Sequence, residues 1–208
     1  NGILGTPNDV VICPPYPYLP LFKGLPLGAQ NSCFEEKGAF TGEVSTLMLK
    51  DMGIDYVIIG HSERRKFCAE TDQVINRKIK AALCVGLKAI LCVGETAEER
   101  DRGQKNEVLE RQITEDLKDI FNDGISSFPE NLSIAYEPVW AIGTGNNCSI
   151  EETKKSAEFI KKLFEAVEKK SPIIENVKVL YGGSVTSQNS GDYIKQAGVD
   201  GLLVGGAS

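Results

Sequence analysis

Tyr56-Val57-Ile58-Ile59-Gly60-His61-Ser62-Glu63-Arg64-Arg65 passes from four bulky apolar residues through a glycine into a polar, charged stretch. The apolar run is short, rich in branched side chains and without polar alternation. That is the pattern of a parallel strand buried on both faces. Similar runs occur at Val10–Cys13, Ala89–Val93, Ser133–Tyr136, Val179–Tyr181 and Leu202–Val204, with a weaker one before Gln30. Helical spacing fills the gaps between them. Ile75, Ile79, Ala82 and Leu83 share one stripe; Leu109, Ile113, Leu117, Ile120 and Phe121 share another. Ala157, Ile160, Phe164 and Val167 form a third, opened by a Ser149-x-x-Glu152 capping box. Gly86, Gly94, Gly198 and Gly201 mark helix ends and loop starts.

Seven strands alternating with helices predict an α/β fold around a parallel sheet. An open, doubly wound sheet often carries a G-x-G-x-x-G turn after its first strand, and none follows Val10–Cys13. Polar or glycine residues instead recur just after several strands: His61, Glu95, Glu137, Ser184 and Gly205. Functional groups at many strand ends describe a (β/α)8 barrel with its site on the C-terminal face. No linker or repeat divides the chain, so residues 1–208 are expected to form one domain.

Charge and cysteine content narrow the function classes. The chain has 208 residues, 23 Lys plus Arg and 29 Asp plus Glu, for a formal charge of −6. That balance disfavours nucleic acid and anionic membrane as partners, so any anionic ligand must be held by local geometry. Six cysteines without a C-x-x-C pair, and His61 as the single histidine, do not make a zinc site. Cysteines within apolar strands suit a reducing, cytoplasmic setting. No long apolar run suggests a membrane span.

Four segments could carry chemistry. His61 follows a strand at the start of a helix, where the positive dipole end would keep the ring neutral and able to polarise a carbonyl. A structural histidine bonded to a turn is the blander alternative. Glu137 ends an apolar strand, where partial desolvation would raise its pKa towards that of a useful base. The loop after it, Pro138-Val139-Trp140-Ala141-Ile142-Gly143-Thr144-Gly145, is apolar with a glycine-rich tip and reads as a lid. Pairing of Glu137 with an arginine is the plainer reading. Tyr181-Gly182-Gly183-Ser184 and Val204-Gly205-Gly206-Ala207-Ser208 follow the last two strands, where barrels bind phosphate. The loop Phe34–Glu43, with Phe34 and Phe40, reads as surface or as a protein contact.

Taken together, GAFTGEVS (Gly38–Ser45), GHSERR (Gly60–Arg65), AYEPVWAIGTG (Ala135–Gly145), YGGSV (Tyr181–Val185) and GLLVGGAS (Gly201–Ser208) closely resemble the triosephosphate isomerase family in order and spacing. The resemblance runs from Val10 to Ser208. It implies a (β/α)8 TIM barrel that interconverts dihydroxyacetone phosphate and D-glyceraldehyde 3-phosphate through an enediolate, in glycolysis and gluconeogenesis. It also implies a cytoplasmic homodimer needing neither cofactor nor metal. Residue by residue it makes Glu137 the base and His61 the neutral electrophile, roles for which this family is a standard illustration. Gly143, Ser184, Gly205 and Gly206 match the phosphate-gripping positions. Glu63 and Cys92 match residues supporting the site from behind. Pro138 to Ile142 with Thr144 and Gly145 match the lid, and Phe40 and Thr41 match a loop that docks into the partner subunit.

The sequence departs from the family in two ways. The family's first strand carries an N-x-K segment whose lysine contacts substrate, and none follows a strand here; Asn76-Arg77-Lys78 falls in a helix and Asn176-Val177-Lys178 precedes a strand. The resemblance therefore implies a chain without the first βα unit and the last helix, inactive and poorly soluble by itself. Asn146-Asn147-Cys148 also stands at the lid's second hinge, where K-T-A is usual; altered lid kinetics are expected. A non-catalytic sugar-phosphate binder and a different phosphate-binding barrel enzyme remain as alternatives.

Overall fold

The computed structural model describes residues 9–22, 24–120, 131–168 and 177–208. Six parallel strands form one sheet in chain order: β1 (Gly28–Ala29), β2 (Tyr56–Ile59), β3 (Lys88–Val93), β4 (Leu132–Tyr136), β5 (Lys178–Tyr181) and β6 (Gly201–Leu202). The helices are α1 (Thr46–Asp51), α2 (Ser62–Phe67), α3 (Asp72–Cys84), α4 (Ala97–Asp101), α5 (Lys105–Asp116), α6 (Ile150–Glu168) and α7 (Ser190–Gln196). Each strand pairs only with its sequence neighbours, for example Ile58 with Ile90 and Cys92 with Ala135.

The strands are continuously apolar because both faces are covered. Val57, Ile59, Leu91, Val93, Ile134, Tyr136, Val179 and Tyr181 point towards the helices and are buried there. Ile58, Ile90, Cys92 and Ala135 point the other way and gather with Cys13, Tyr56, Leu180 and Leu203 in a second cluster. Cys13 lies beyond β1 and Leu203 beyond β6, so their meeting in one cluster requires the sheet to curl. The helical stripes are buried as expected. Ile75, Ile79, Ala82 and Leu83 on α3, and Leu109 and Ile113 on α5, are at most 6% exposed. Leu117 and Ile120 pack beyond the end of α5, whereas Phe121 and the side chain of Val167 lie outside the described residues.

One expectation changes. The strand predicted at Val10–Cys13 holds a single parallel bridge, Ile12 to Leu27, so that six strands rather than seven are formed among the described residues. The Ile12 N–H donates to Pro26 O (3.0 Å) and Gly28 N–H donates to Ile12 O (2.9 Å). Proline then limits the ladder on both sides: Pro26 has no N–H to give, and neither do Pro14 and Pro15. Ser149 Oγ does accept the Glu152 N–H at 3.1 Å, but the Glu152 carboxylate faces Arg100 and Lys105. The fully formed capping box is at Thr96 and Glu99, at the start of α4.

Candidate active site

The exits of β2, β3, β4 and β5 converge on Glu137. Its N–H donates to Val93 O (2.8 Å), which continues the β3–β4 ladder one residue past the strand and fixes where the side chain starts. Gly94 beside it has no room for a side chain; a Cβ there would lie 1.7 Å from Glu137 O. Glu137 is 2% exposed. Its Oε1 lies 3.0 Å from His61 Nε2, and its Oε2 accepts the Ser62 N–H at 3.0 Å. A histidine and an amide from the turn after β2 thus partner Glu137, and the arginine partner considered above is not what holds it.

His61 caps α2 with its own ring: Nδ1 accepts the Glu63 N–H at 3.3 Å. An accepting Nδ1 carries no proton, so the neutral ring has its proton on Nε2, directed at Glu137 Oε1. A helix N-terminus by itself lowers a histidine pKa. The hydrogen bond that His61 donates to Glu137 is the stronger influence and raises the ring above its ordinary value, with burial opposing. A second proton would still have to displace the Glu63 N–H from Nδ1. The side chain of Glu63 is further away, Oε2 lying 3.9 Å from Nδ1, so Glu63 supports the ring mainly through its backbone. Cys92, fully buried, lies under the pair; burial first, then the Glu137 carboxylate, pushes its thiol well above the usual range.

The loop after Glu137 opens with a short 3-10 turn, Val139–Ala141. The Trp140 indole N–H donates to Glu95 Oε1 (2.8 Å), and the Arg100 guanidinium stacks 3.7 Å from the ring centroid. Glu95, which the sequence marked only as a strand-end residue, is the loop's anchor. It is completely buried, accepts Tyr136 Oη at 3.1 Å, receives Val139 N–H at its backbone oxygen, and has its pKa raised by desolvation. Ser184 Oγ donates to Ala141 O (2.6 Å), tying the β5 exit to the loop. Beyond Ile142 the loop is exposed through Gly143, Thr144 and Gly145, and Thr144 Oγ1 donates back to Trp140 O (3.2 Å). At the far hinge Cys148 is buried and Tyr193 Oη donates to its carbonyl at 2.5 Å.

The two glycine pairs differ. Gly182 and Gly183 are crowded: a Cβ would lie 3.0 Å from Glu137 Cγ and 2.1 Å from Tyr181 Oη respectively. Gly205 and Gly206 face open space and are exposed, as an amide site open to a ligand would be. Phe40 and Thr41 lie at an exposed loop tip, with Phe40 45% exposed. Among the described residues no group of three or more His, Cys, Asp or Glu side chains could hold a metal ion, and no helix is long and apolar enough to cross a membrane. All six cysteines are free.

The family model described as Triosephosphate isomerase matches residues 4–208. Among curated relatives, the triosephosphate isomerase of Carboxydothermus hydrogenoformans is 48% identical over 206 residues, covering 96% of this chain and 80% of the relative. That of Dictyoglomus thermophilum is 45% identical, with 97% and 81% covered, and that of Finegoldia magna is 50% identical over 181 residues, with 87% and 70% covered. Identity at this level across nearly the whole chain leaves one assignment: this chain belongs to the triosephosphate isomerase family.

Proposed function

We propose that the protein is an isomerase that moves a proton between adjacent carbons of a triose phosphate, interconverting dihydroxyacetone phosphate and D-glyceraldehyde 3-phosphate through an enediolate. The observation that carries this reading is the 3.0 Å approach of His61 Nε2 to Glu137 Oε1 at the exits of two different strands. A base must reach a carbon-bound proton while an electrophile polarises the neighbouring carbonyl, and such a pair can serve both centres of one small substrate. Without ligand, Glu137 is occupied by His61 Nε2–H and Ser62 N–H. Substrate would take over the Nε2–H through its carbonyl oxygen, and the freed carboxylate would turn to the carbon.

Gly143, Ser184, Gly205 and Gly206 would grip the phosphate, which draws the Pro138–Gly145 lid over the site. Binding energy from this non-reacting group would then contribute to turnover, and exclusion of water would protect the enediolate from losing phosphate. The Ser184–Ala141 and Trp140–Glu95 hydrogen bonds hold the lid in its present position. The curled sheet is read as part of a single closed (β/α)8 barrel, and the exposed Phe40–Thr41 tip as the contact of a homodimer. Free cysteines and the acidic charge suit the cytoplasm, with no nucleic-acid or membrane partner. The activity would need no cofactor and belong to glycolysis and gluconeogenesis.

The test is isomerisation of dihydroxyacetone phosphate together with proton exchange from solvent, for the wild type and Glu137→Gln, each in a full-length chain that carries the N-x-K segment. Loss of a positioned general base lowers the rate by roughly 10²–10⁴-fold, with a substrate analogue still bound. Binding without turnover in the wild type would favour the sugar-phosphate binder instead.

A further inference from the structure

None of the steps above uses the buried ion cluster behind His61. Arg65, on α2, donates from Nε to Gly60 O (2.8 Å) and from Nη2 to Cys92 O (3.1 Å). The same guanidinium reaches Asp116 Oδ2 through Nη2 and Asp72 Oδ1 through Nη1, both at 2.6 Å. Asp116 is completely buried at the end of α5, and its Oδ1 has no hydrogen-bond partner. Asp72 opens α3 and is also paired with Arg111, while Asn76 on α3 donates to Asp116 O (3.0 Å).

From these contacts we infer that Arg65 is a positioning residue for His61, with Asp116 as its anchor; the inference rests on the reading of His61 and Glu137 as the reacting pair. Gly60 O is the last carbonyl before His61. Cys92 O adjoins Val93, whose carbonyl receives the Glu137 N–H. One planar guanidinium therefore clamps the two strand exits that set the His61–Glu137 separation. Gly60 is folded tightly around it: φ is +75°, and a Cβ would lie 3.1 Å from Arg65 Nη2 and 3.3 Å from Cys92 O. A lysine could supply the charge but not the planar fork that meets four acceptors.

A purely stabilising role accounts poorly for the cluster. Burying an ion pair costs desolvation that attraction barely offsets, and apolar side chains of similar volume often do as well. Burial pushes the Asp116 carboxyl up to about 7 and leaves Oδ1 unpaired, so the cost is present here. What apolar packing could not provide is a directed hold on two backbone carbonyls.

The experiment compares the wild type with Arg65→Lys, Asp116→Asn and the exposed control Arg102→Ala. It reads kcat, KM and the two ring 15N signals of the chain's single histidine. Arg65→Lys should lower kcat roughly 10- to 100-fold, the scale of a small misplacement of a reacting group, with KM within about threefold. Its ring signals should move together as the Nε2–H tautomer loses its hold. Asp116→Asn, which keeps the volume, should shift both readouts the same way by less, and it carries the test if Arg65→Lys does not fold. Folded variants with wild-type ring signals would overturn the inference, whatever their activity. A full-length wild type that carries the N-x-K segment and still lacks isomerase activity would defeat the proposed reaction, while the ring signals would still decide the role of Arg65.

Discussion

The turn that carries His61 and the loop that follows Glu137 meet at one glutamate and are held very differently. Around His61, ring, backbone and guanidinium are cross-linked: Nδ1 to Glu63 N–H, Nε2 to Glu137, Gly60 O and Cys92 O to Arg65. Beyond Glu137, the loop is held at its root by Trp140–Glu95 and Ser184–Ala141, and at its far hinge by Tyr193–Cys148. Its tip, Gly143 to Gly145, is exposed, and a Cβ on either glycine would meet nothing within 4 Å. On the proposed reading, the groups that would react are preorganised, and the segment that would admit and enclose substrate is the less constrained one. Preorganisation matters most where charge develops during reaction, and mobility where access is needed.

The contrast can be broken most severely from the rigid side. Gly94→Ala places a Cβ against the Glu137 carbonyl, so the backbone of one must shift. A displacement near 1 Å costs on the order of 10²-fold in rate. Steady-state kinetics should show the loss in kcat, with substrate-analogue binding retained; a wild-type kcat would mean the pair tolerates displacement. A change on the mobile side should do far less. Arg100→Met removes the cation over Trp140, a contact worth about 0.5–1 kcal/mol at a partly exposed site. Trp140 is the only tryptophan, so its fluorescence during a phosphate titration reports the loop alone. The midpoint should move two- to fivefold, and an unchanged titration would remove Arg100 from the lid's controls.

Acidity gives the subtlest separation. The Asp116 carboxyl is raised from 3.8 to about 7 in the folded state, chiefly by burial, so the folded protein binds more protons than the unfolded chain between those values. Its contribution to stability is therefore fully present below about pH 4, declines as pH rises through the window, and levels off above about 7. Urea midpoints for Asp116→Asn and wild type, taken across that range, should differ by a pH-dependent amount with that sign. A constant difference would show that Asp116 does not titrate there.

Much of this contrast was legible in the sequence because strand runs buried on both faces are locally encoded. Tyr56–Ile59 coincides with β2, and the other four main runs fall within a residue or two of β3 to β6. The helices α2, α4 and α7, each of five to seven residues, are too short to show a periodic stripe, and proline reduced the Val10–Cys13 run to one bridge. Strand-end placement marked His61, Glu95 and Glu137, but not that Glu95 would anchor Trp140. The hold of Arg65 on Asp116 spans 51 positions and leaves no local pattern to read. The packing of Gly182 against Glu137 likewise joins distant parts of the chain and leaves no local pattern.

The most direct measurement is the titration of the His61 ring nitrogens by 15N NMR in the ligand-free protein, wild type against Glu137→Gln. A preformed pair predicts a neutral ring with its proton on Nε2 and a pKa above that of an ordinary histidine, falling when the carboxylate is removed because Glu137 is the largest influence raising it. Identical titration curves and the same tautomer mixture in both proteins would show that His61 and Glu137 do not form a pair before substrate arrives.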